Sequence, residues 1–236
     1  MKNGALSPKA DLKEVVVQPL VQIVLATHNT GKTKEIIDLL KDFPVRIRNL
    51  ADFGPIPPIV EDGATFDDNA YKKASLTARY LGMPALADDS GLTVAALDGA
   101  PGVYSARYGG EDATDQDRYQ KLLAEMAGKE DRTAAFECVL SLAIPTGPAL
   151  TYEGRCEGLI AQSPAGDNGF GYDPVFFYPP MDKTFAQMSM AEKSEVSHRG
   201  KALRELRSEF DKVLIWLRQQ TLQSDPIGCM GDPKQS

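Results

Sequence analysis

The sequence is poor in the residues that build most protein metal sites, and it lacks both a basic surplus and a long apolar run. Its 236 residues include three cysteines without a C-x-x-C pair and only two histidines, which excludes a histidine-rich metal centre. Any bound metal must then be held by carboxylates and water, a ligand set that favours magnesium or manganese. The formal net charge of −7 argues against a general nucleic-acid surface, because such surfaces need clustered Lys and Arg.

The absence of a long apolar run and the small number of cysteines also indicate where the protein is located and that its thiols are reduced. No run of about 18 apolar residues is present to cross a bilayer, and the first residues, MKNGALSPKADLKE, lack the apolar stretch of a secretory signal. The three widely spaced cysteines are predicted to be reduced packing or surface thiols, as in a reducing compartment. We therefore expect a cytoplasmic protein.

What remains is an ordinary globular composition, with 42% hydrophobic and 25% charged residues. The length fits one large domain or two small lobes. We predict a loose arm at residues 1–19, a single folded domain at 20–221 and a flexible tail at 222–236, where Pro and Gly recur.

Hydrophobic periodicity predicts an interleaved set of strands and helices. Strands are expected at 21–26, 45–50, 85–87, 92–97, 133–144 and 152–160, and helices after residue 33 and at 66–80, 114–127 and 197–219. The first two strands are predicted to lie side by side, and the last two to form an antiparallel pair. This order predicts an α/β fold with a mixed parallel and antiparallel sheet, flanking helices, and two lobes around a central cleft.

The segment from Ala26 to Thr33, AxxxxGKT, lies between a predicted strand and a predicted helix. Free backbone N–H groups at a helix N-terminus attract anions together with the helix dipole, and Lys32 adds a full positive charge. The pattern nearly matches the P-loop, G-x-x-x-x-G-K-[ST], except that Ala26 replaces the first glycine. It predicts a phosphate site, with a plain strand-to-helix turn as the alternative.

A second polar segment, Asp88-Asp89-Ser90-Gly91, follows a short predicted strand. Because adjacent strand residues point to opposite faces, at most one of the two carboxylates is expected to face a given cleft. That carboxylate could bind a divalent cation beside a triphosphate and accept a proton from water, or the segment could be only a polar turn. Glu61 supplies a further ligand or is a solvated loop residue.

Two later segments offer contacts for a planar ring and its oxygens. In GFGYDP, two glycines flank Phe170, so the ring is either presented for stacking on a base bordered by Asp173 or packed in the core. In KSEVSHRGK, which begins at Lys193, three cations and a histidine lie at the start of the last helix. This run is either an anion-binding site or a solvated face.

In this order and spacing, the segments resemble the inosine triphosphate pyrophosphatase family, the XTP/dITP diphosphatases that remove deaminated purine nucleoside triphosphates. The matching stretches are ATHNTGKTKEI, FDDNAYKKA, PALADDSGLTVAALDGAPGVYSARYGGEDATD, FGYDPVFF and EKSEVSHRGKAL. They run from about residue 21 to residue 217, which is most of the chain, and the stretch from Pro84 to Asp115 is specific to the family.

The resemblance implies an elongated α/β fold, a homodimer, and a magnesium-dependent hydrolase in which manganese could replace magnesium. The implied reaction cleaves the bond between the α- and β-phosphates and gives a nucleoside monophosphate and pyrophosphate. Asp89 is implied to ligate the metal together with Glu61 and to act as, or orient, the general base. Asp88 is implied to support Asp89, and Lys32 to assist the chemistry.

The resemblance also implies a set of residues that bind the substrate. The triphosphate would be cradled by Thr27, His28, Asn29, Thr30, Gly31 and Lys32, with a further phosphate contact from Lys73 and a contact from Ser90. The base would be bordered by Phe170, Gly171, Tyr172 and Asp173, and its oxygens would be read by Lys193, His198 and Arg199.

Base selectivity is expected to depend on the 6-oxo group of hypoxanthine and xanthine, where adenine carries an amino group. Donors such as Arg199 or a protonated His198 would favour the oxygen and leave the amino group of adenine unmatched. Two other functions remain open: a P-loop-like nucleotide kinase or NTPase, suggested by AxxxxGKT, and a nucleotide-sensing module that binds ITP without turnover. The kinase hypothesis leaves FGYD and SHRGK unexplained.

Overall fold

The computed structural model describes residues 20–27, 29–110 and 112–224. These residues contain seven strands, namely β1 (Val21–Leu25), β2 (Val45–Asn49), β3 (Ala85–Val94), β4 (Thr133–Ala143), β5 (Ala149–Ile160), β6 (Phe176–Tyr178) and β7 (Lys183–Thr184). The α-helices are α1 (Thr30–Leu40), α2 (Phe66–Leu81), α3 (Asp115–Glu125), α4 (Met190–Val196) and α5 (His198–Ser224). The predicted arm at 1–19 and the tail from residue 225 onward lie outside the described residues.

The strands form one mixed sheet in the order β2-β1-β3-β4-β5-β6-β7. β1 runs parallel to β2 and β3, whereas β3 to β7 are antiparallel to their neighbours. Helices α1 and α2 lie in the connections between the parallel strands, whereas the antiparallel pair β4 and β5 is joined by a short turn. The predicted fold class, a mixed sheet with flanking helices, is therefore confirmed.

β3 is one continuous strand of ten residues, so the strand end predicted at Ala87, and with it the alternative of a polar turn at 88–91, is wrong. Asp88 pairs with Leu140 and Asp89 pairs with Val139, so the polar residues lie in the middle of the strand and not at its end. The low strand propensity of aspartate is overridden here because long-range pairing with β4 fixes the backbone.

β1 pairs with β3 only at Ala85 and Leu86, because β1 ends at Leu25. The polar half of β3 thus continues past the end of β1, and the segment that leads from β1 into α1 comes next to it. This arrangement places the predicted phosphate loop and the two aspartates in one region of the sheet.

The helices cover both faces of the sheet. α5 buries its predicted apolar face, Leu203, Leu206, Phe210, Val213, Leu214 and Leu217, in a core cluster shared with α1 and β1. On the opposite face, the small residues of α2 allow close approach, and Ala74 and Ala78 pack with Ala87 and Ala143. The N-termini of α2 and α3 carry capping boxes, at Thr65 and Thr114.

Some elements differ from the prediction. α4, β6 and β7 were not predicted, and α5 extends to Ser224, five residues beyond the predicted end. Cys138 and Cys156 are buried free thiols, and burial raises the pKa of Cys138 to about 12. None of the helices in the described ranges is long and apolar enough to span a membrane.

Candidate active site

Asp88 lies on the face of β3 that α1 and α5 cover, and its carboxylate joins two cations. Its Oδ2 atom is 2.6 Å from Lys32 Nζ and 3.5 Å from an Nη atom of Arg199. Burial alone would raise the pKa of Asp88, but Lys32 and Arg199 together hold it well below its usual value. Ser90 joins this group, since its hydroxyl donates to Asp88 and accepts from Arg199.

Asp89 points to the opposite face, as the alternation of strand side chains predicts. Its Oδ1 atom accepts a hydrogen bond from Lys73 Nζ at 3.1 Å, and the same Nζ is 3.3 Å from Glu61 Oε2. Burial raises the pKa of Asp89 above its usual value, and the ammonium of Lys73 only partly opposes that shift. Glu61 therefore points inward, whereas Asp62 is exposed and pairs with Lys72.

The start of α1 approaches the Asp88 side of the site. Thr30 opens the helix and Asn29 is its N-cap, with Oδ1 accepting from the backbone N–H groups of Gly31 at 2.9 Å and Lys32 at 3.1 Å. Those two amides are therefore not free, contrary to the prediction. Thr27 bonds the Asn29 amide through its hydroxyl, and His28 lies outside the described residues.

Phe170 is presented at the surface, with 47% of its area exposed, which rejects the alternative of a core residue. Gly169 and Gly171 both have positive φ values, 79° and 63°, a backbone that glycine adopts without a steric penalty. The loop is fixed by Asp115, whose Oδ2 atom accepts the Gly171 N–H at 2.7 Å.

Tyr172 and Asp173 lie beneath Phe170 and not beside it. Tyr172 is buried and its hydroxyl donates to the carbonyl of Ser105 at 2.8 Å, so its place at the border of the base stays a prediction. Asp173 is also buried, accepts the Phe170 N–H, and pairs closely with Lys193. Burial raises the pKa of Asp173, with Lys193 opposing.

Two predicted cations meet at the Phe170 ring. Lys193 Nζ is 4.7 Å and Arg199 Cζ is 5.8 Å from the ring centroid, within or near the range of cation–π attraction. Arg199 also reaches Asp88, so it connects the ring to the Lys32 side of the site. The sequence-predicted residues thus form two groups on opposite faces of β3, one with Asp88 and the Phe170 ring and one with Asp89.

His198 is buried against Phe136, with ring centroids 4.7 Å apart and nearly parallel planes. Burial, together with the charges of Arg199 and Lys193, holds the pKa of His198 well below 6.5. The lowered pKa disfavours the protonated form of His198 that was named as one possible donor, and among the described residues its Nδ1 atom has no hydrogen-bond partner.

A cavity of about 250 Å³ opens beside Arg199. One wall carries Lys193, His198 and Arg199 from α4 and α5, and the other carries Glu35 and Asp38 from α1. Glu35 Oε2 is 3.7 Å from Arg199. The cavity therefore combines donors on one side with carboxylates on the other.

Sequence reasoning missed Asn69, Glu35, Arg107 and Asp115, each of which contacts a predicted residue or its loop. Asn69 lies inside FDDNAYKKA, and its spacing of four residues from Lys73 on a helix was a usable signal. The other three act through contacts between residues distant in sequence, which no local pattern carries.

The oxygen ligands present suit a hard divalent cation. Asp89 and Glu61 converge on Lys73 from different segments, and Mg²⁺ is usually held by one or two carboxylates, waters and substrate phosphates. In the described ranges, no group of three or more His, Cys, Asp or Glu side chains is placed to hold a metal ion alone.

Comparison with known proteins places this site in a wider group. The model of the Ham1 family matches residues 23–209. A dITP/XTP pyrophosphatase of Syntrophobacter fumaroxidans is 65% identical over 199 residues, covering 84% of this chain and 86% of that protein. A second one, of Desulfotalea psychrophila, is 60% identical over 204 residues, covering 86% and 92%.

Solved structures agree with this likeness. A HAM1 protein from Coxiella burnetii is 45% identical and superposes with a TM-score of 0.79. The match covers 82% of this chain and 100% of that protein. A nucleoside-triphosphatase and dITP/XTP pyrophosphatase from Mycobacterium abscessus is 40% identical with a TM-score of 0.69, covering 79% and 97%.

Proposed function

Because the chain belongs to the Ham1 family, we propose that it hydrolyses deaminated purine nucleoside triphosphates. ITP, dITP and XTP would give the monophosphate and pyrophosphate, which removes them from the nucleotide pool. The observation that supports this proposal is that the two aspartates lie on opposite faces of β3 and contact different cations. Asp88 organises two cations on one face, and Asp89, paired with Lys73, lies next to Glu61 on the other.

The triphosphate is bound where positive charge is already assembled. Lys32 and Arg199 are held in place by Asp88, and Lys73 adds a third cation across the strand. Enzymes accelerate phosphoryl transfer mainly by neutralising charge and positioning the reacting groups, and not by covalent catalysis. These three cations can do both. The α1 amides can join the contact only if the Asn29 side chain turns away from Gly31 and Lys32.

Asp89 is the base of the proposed reaction. Its raised pKa, caused mainly by burial, makes the carboxylate a better proton acceptor for the attacking water. The oxygen of that water forms the new P–O bond, the bond between the α- and β-phosphates breaks, and the proton passes to Asp89. Magnesium held by Asp89 and Glu61 would neutralise phosphate charge; manganese is the alternative ion.

The base would stack on the exposed Phe170 ring, near Lys193 and Arg199. Arg199, which is always charged, donates to the 6-oxo group of hypoxanthine or xanthine. The amino group of adenine would face that donor without an acceptor, and an unmet buried donor costs about 1–3 kcal/mol. Neutral His198 can supply at most one N–H to the same cavity.

The P-loop-like kinase or NTPase finds no support among the matched proteins, which are named dITP/XTP pyrophosphatases. The absence of the first P-loop glycine points the same way. We further propose that the protein works in the cytoplasm as a homodimer, as its resemblance to the family implies. Sedimentation at several concentrations would test the dimer, and a mass of one chain throughout would reject it.

Product analysis tests the function. A panel of ITP, dITP, XTP, GTP and ATP is incubated with magnesium, and pyrophosphate and orthophosphate are measured separately. We expect pyrophosphate from the first three substrates well above the level from GTP and ATP, with no orthophosphate. Equal turnover of ATP would reject the base selectivity, and orthophosphate as first product would reject the reaction.

The variant Asp89→Asn separates catalysis from binding. It removes the proton acceptor but preserves the shape of the side chain, so we expect kcat to fall by at least about 10²-fold, while dITP binding is retained. If the wild-type protein binds dITP but turns over no faster than Asp89→Asn, the protein is a nucleotide-binding module and not an enzyme.

A further inference from the structure

The loop before α2 is joined to Asp89 by a single buried side chain. Asn69 is only 1% exposed. Its Oδ1 atom accepts the backbone N–H of Gly63 at 2.8 Å, and its Nδ2 atom donates to Asp89 Oδ2 at 3.2 Å. One amide thus contacts both the loop that carries Glu61 and the strand that carries Asp89.

The loop is shaped to make this contact. A Cβ atom at Gly63 would lie 2.7 Å from Asn69 Oδ1 and 2.6 Å from the Cβ of Asp68, so any other residue would push the loop away. Two residues earlier, the carbonyl of Glu61 accepts a hydrogen bond from Arg107 at 2.8 Å. The loop is therefore held at Glu61 itself and again two residues later.

The residue type at position 69 follows from these two bonds. The side chain must accept from an amide and donate to a carboxylate, and among side chains of this length only asparagine does both. With Lys73 on Oδ1 and Asn69 on Oδ2, both oxygens of Asp89 have a fixed partner. These two hydrogen bonds fix the orientation of the carboxylate plane as well as its position.

Helix capping does not account for Asn69. The N-terminus of α2 is already capped by Thr65 and Asp68, which bond each other's backbone amides. Asn69 could therefore be replaced without loss of that cap, and its buried amide serves contacts outside the helix.

We propose that Asn69 is a positioning residue that fixes Asp89 and the Glu61 loop relative to each other, so that the two carboxylates can hold one divalent cation. This inference rests on the proposed function and deepens it. Partners of metal ligands of this kind contribute about 10- to 100-fold in metal affinity or activity. Replacing Asn69 should change kcat and the affinity for the metal, because Asn69 contacts neither the Phe170 ring nor Lys32 or Arg199 in the described structure.

The test compares Asn69→Ala, Gly63→Ala and the control Thr77→Val. Thr77 is also buried in α2, and its hydroxyl has no hydrogen-bond partner within the described part of the chain, so valine preserves its shape without touching the site. Mn²⁺ binding is measured from the signal of free Mn²⁺ in electron paramagnetic resonance, alongside Tm and the kcat and KM for dITP.

We expect the Mn²⁺ Kd to rise at least 10-fold in Asn69→Ala and in Gly63→Ala, with kcat lowered and the KM for dITP nearly unchanged. Thr77→Val should retain wild-type values. If Asn69→Ala does not fold, Gly63→Ala displaces the loop while leaving the α2 interior intact. Wild-type Mn²⁺ affinity in either folded site variant overturns the inference, as does an equal loss in Thr77→Val.

Failure of the proposed function has a different signature. A wild-type protein that neither binds Mn²⁺ nor hydrolyses dITP rejects the function, and the role of Asn69 falls with it. A wild-type protein that does both, beside Asn69→Ala with unchanged Mn²⁺ affinity, rejects only the role of Asn69.

Discussion

His198 shows how burial gives one side chain a measurable dependence on pH. Its pKa is held well below 6.5 in the folded protein, first by burial and then by Arg199 and Lys193, whereas the unfolded chain takes up the proton near pH 6.5. The unfolded state therefore binds more protons below that pH, and folding stability falls as pH decreases through about 6.5 towards the lower folded value.

We predict that His198→Phe removes this part of the pH dependence. Between pH 7.5 and pH 5.5, the loss of unfolding free energy should be smaller in the variant than in the wild type, by at most about 1.4 kcal/mol. Urea unfolding at both pH values measures it. The phenylalanine ring keeps the packing on Phe136. Parallel losses in the two proteins would show that His198 is protonated in the fold.

Phe170 is expected to affect binding and not stability, because nearly half of its surface is exposed. Stacking of a base on an aromatic ring contributes about 1–3 kcal/mol by alanine substitution. Phe170→Ala should therefore raise the KM for dITP by roughly 10-fold, with Tm unchanged, and Phe170→Tyr should retain the wild-type KM. A lower Tm with unchanged KM would instead make Phe170 a packing residue.

At the scale of single elements, the contact between α5 and β5 positions His198 and Arg199. Gly154 of β5 lies under the first turn of α5, where a Cβ atom would be 2.0 Å from the His198 carbonyl oxygen and 2.8 Å from the Ala202 amide nitrogen. No side chain fits between the strand and the helix, so the start of α5 rests directly on the sheet.

Gly154→Ala is predicted to destabilise the fold and to displace the start of α5. Overpacking of this kind costs about 1–3 kcal/mol, and the KM for dITP should rise because Arg199 moves with the helix. The control is Glu153→Ala, at the exposed neighbouring position of the same strand. Thermal unfolding and steady-state kinetics measure both effects, and a Gly154→Ala protein with wild-type Tm and KM would contradict the prediction.

The elements also show what sequence can and cannot reveal. α5 was predictable because its apolar residues repeat every 3.6 positions over about four turns, and α3 because Thr114 and Asp117 form a capping box. The strand end expected at Ala87 was wrong because local propensity carries no record of the β4 residues that pair with Asp88 and Asp89. The same limit hid β6 and β7, which are short and follow from packing.

The residues of the site show the same difference between features that local sequence reveals and features that depend on long-range contacts. Lys32, Lys73 and Asp89 were predictable from motifs that lie within one segment each. The neutral state of His198 was not, because it depends on burial under Phe136 from another strand. The cap that occupies the Gly31 and Lys32 amides was also missed, although Asn29 is a favoured N-cap residue.

At the scale of the whole molecule, several cations are concentrated at the site although the chain is acidic overall. The net charge is −7, yet Lys32, Lys73, Lys193 and Arg199 lie around β3 and Phe170. The first property repels a nucleotide triphosphate and the second attracts it. The dependence of the association rate on ionic strength shows which of them governs association. The screening length falls from about 30 Å at 0.01 M salt to about 8 Å at 0.15 M, so added salt weakens whichever interaction dominates.

We predict that local attraction dominates. Raising the ionic strength from about 0.01 M to about 0.15 M at saturating magnesium should lower kcat/KM for dITP several-fold. Lys193→Met should lower kcat/KM at low salt and make the dependence shallower. A rise of kcat/KM with salt would show that the overall negative charge governs the encounter.

The internal anion at Asp88 has a consequence for the end of the catalytic cycle. Asp88 already neutralises much of the charge on Lys32 and Arg199, so a departing pyrophosphate competes with a carboxylate that cannot diffuse away. We expect this competition to weaken product inhibition. Without Asp88 the two cations would retain pyrophosphate, and the enzyme would be slowed by its own product.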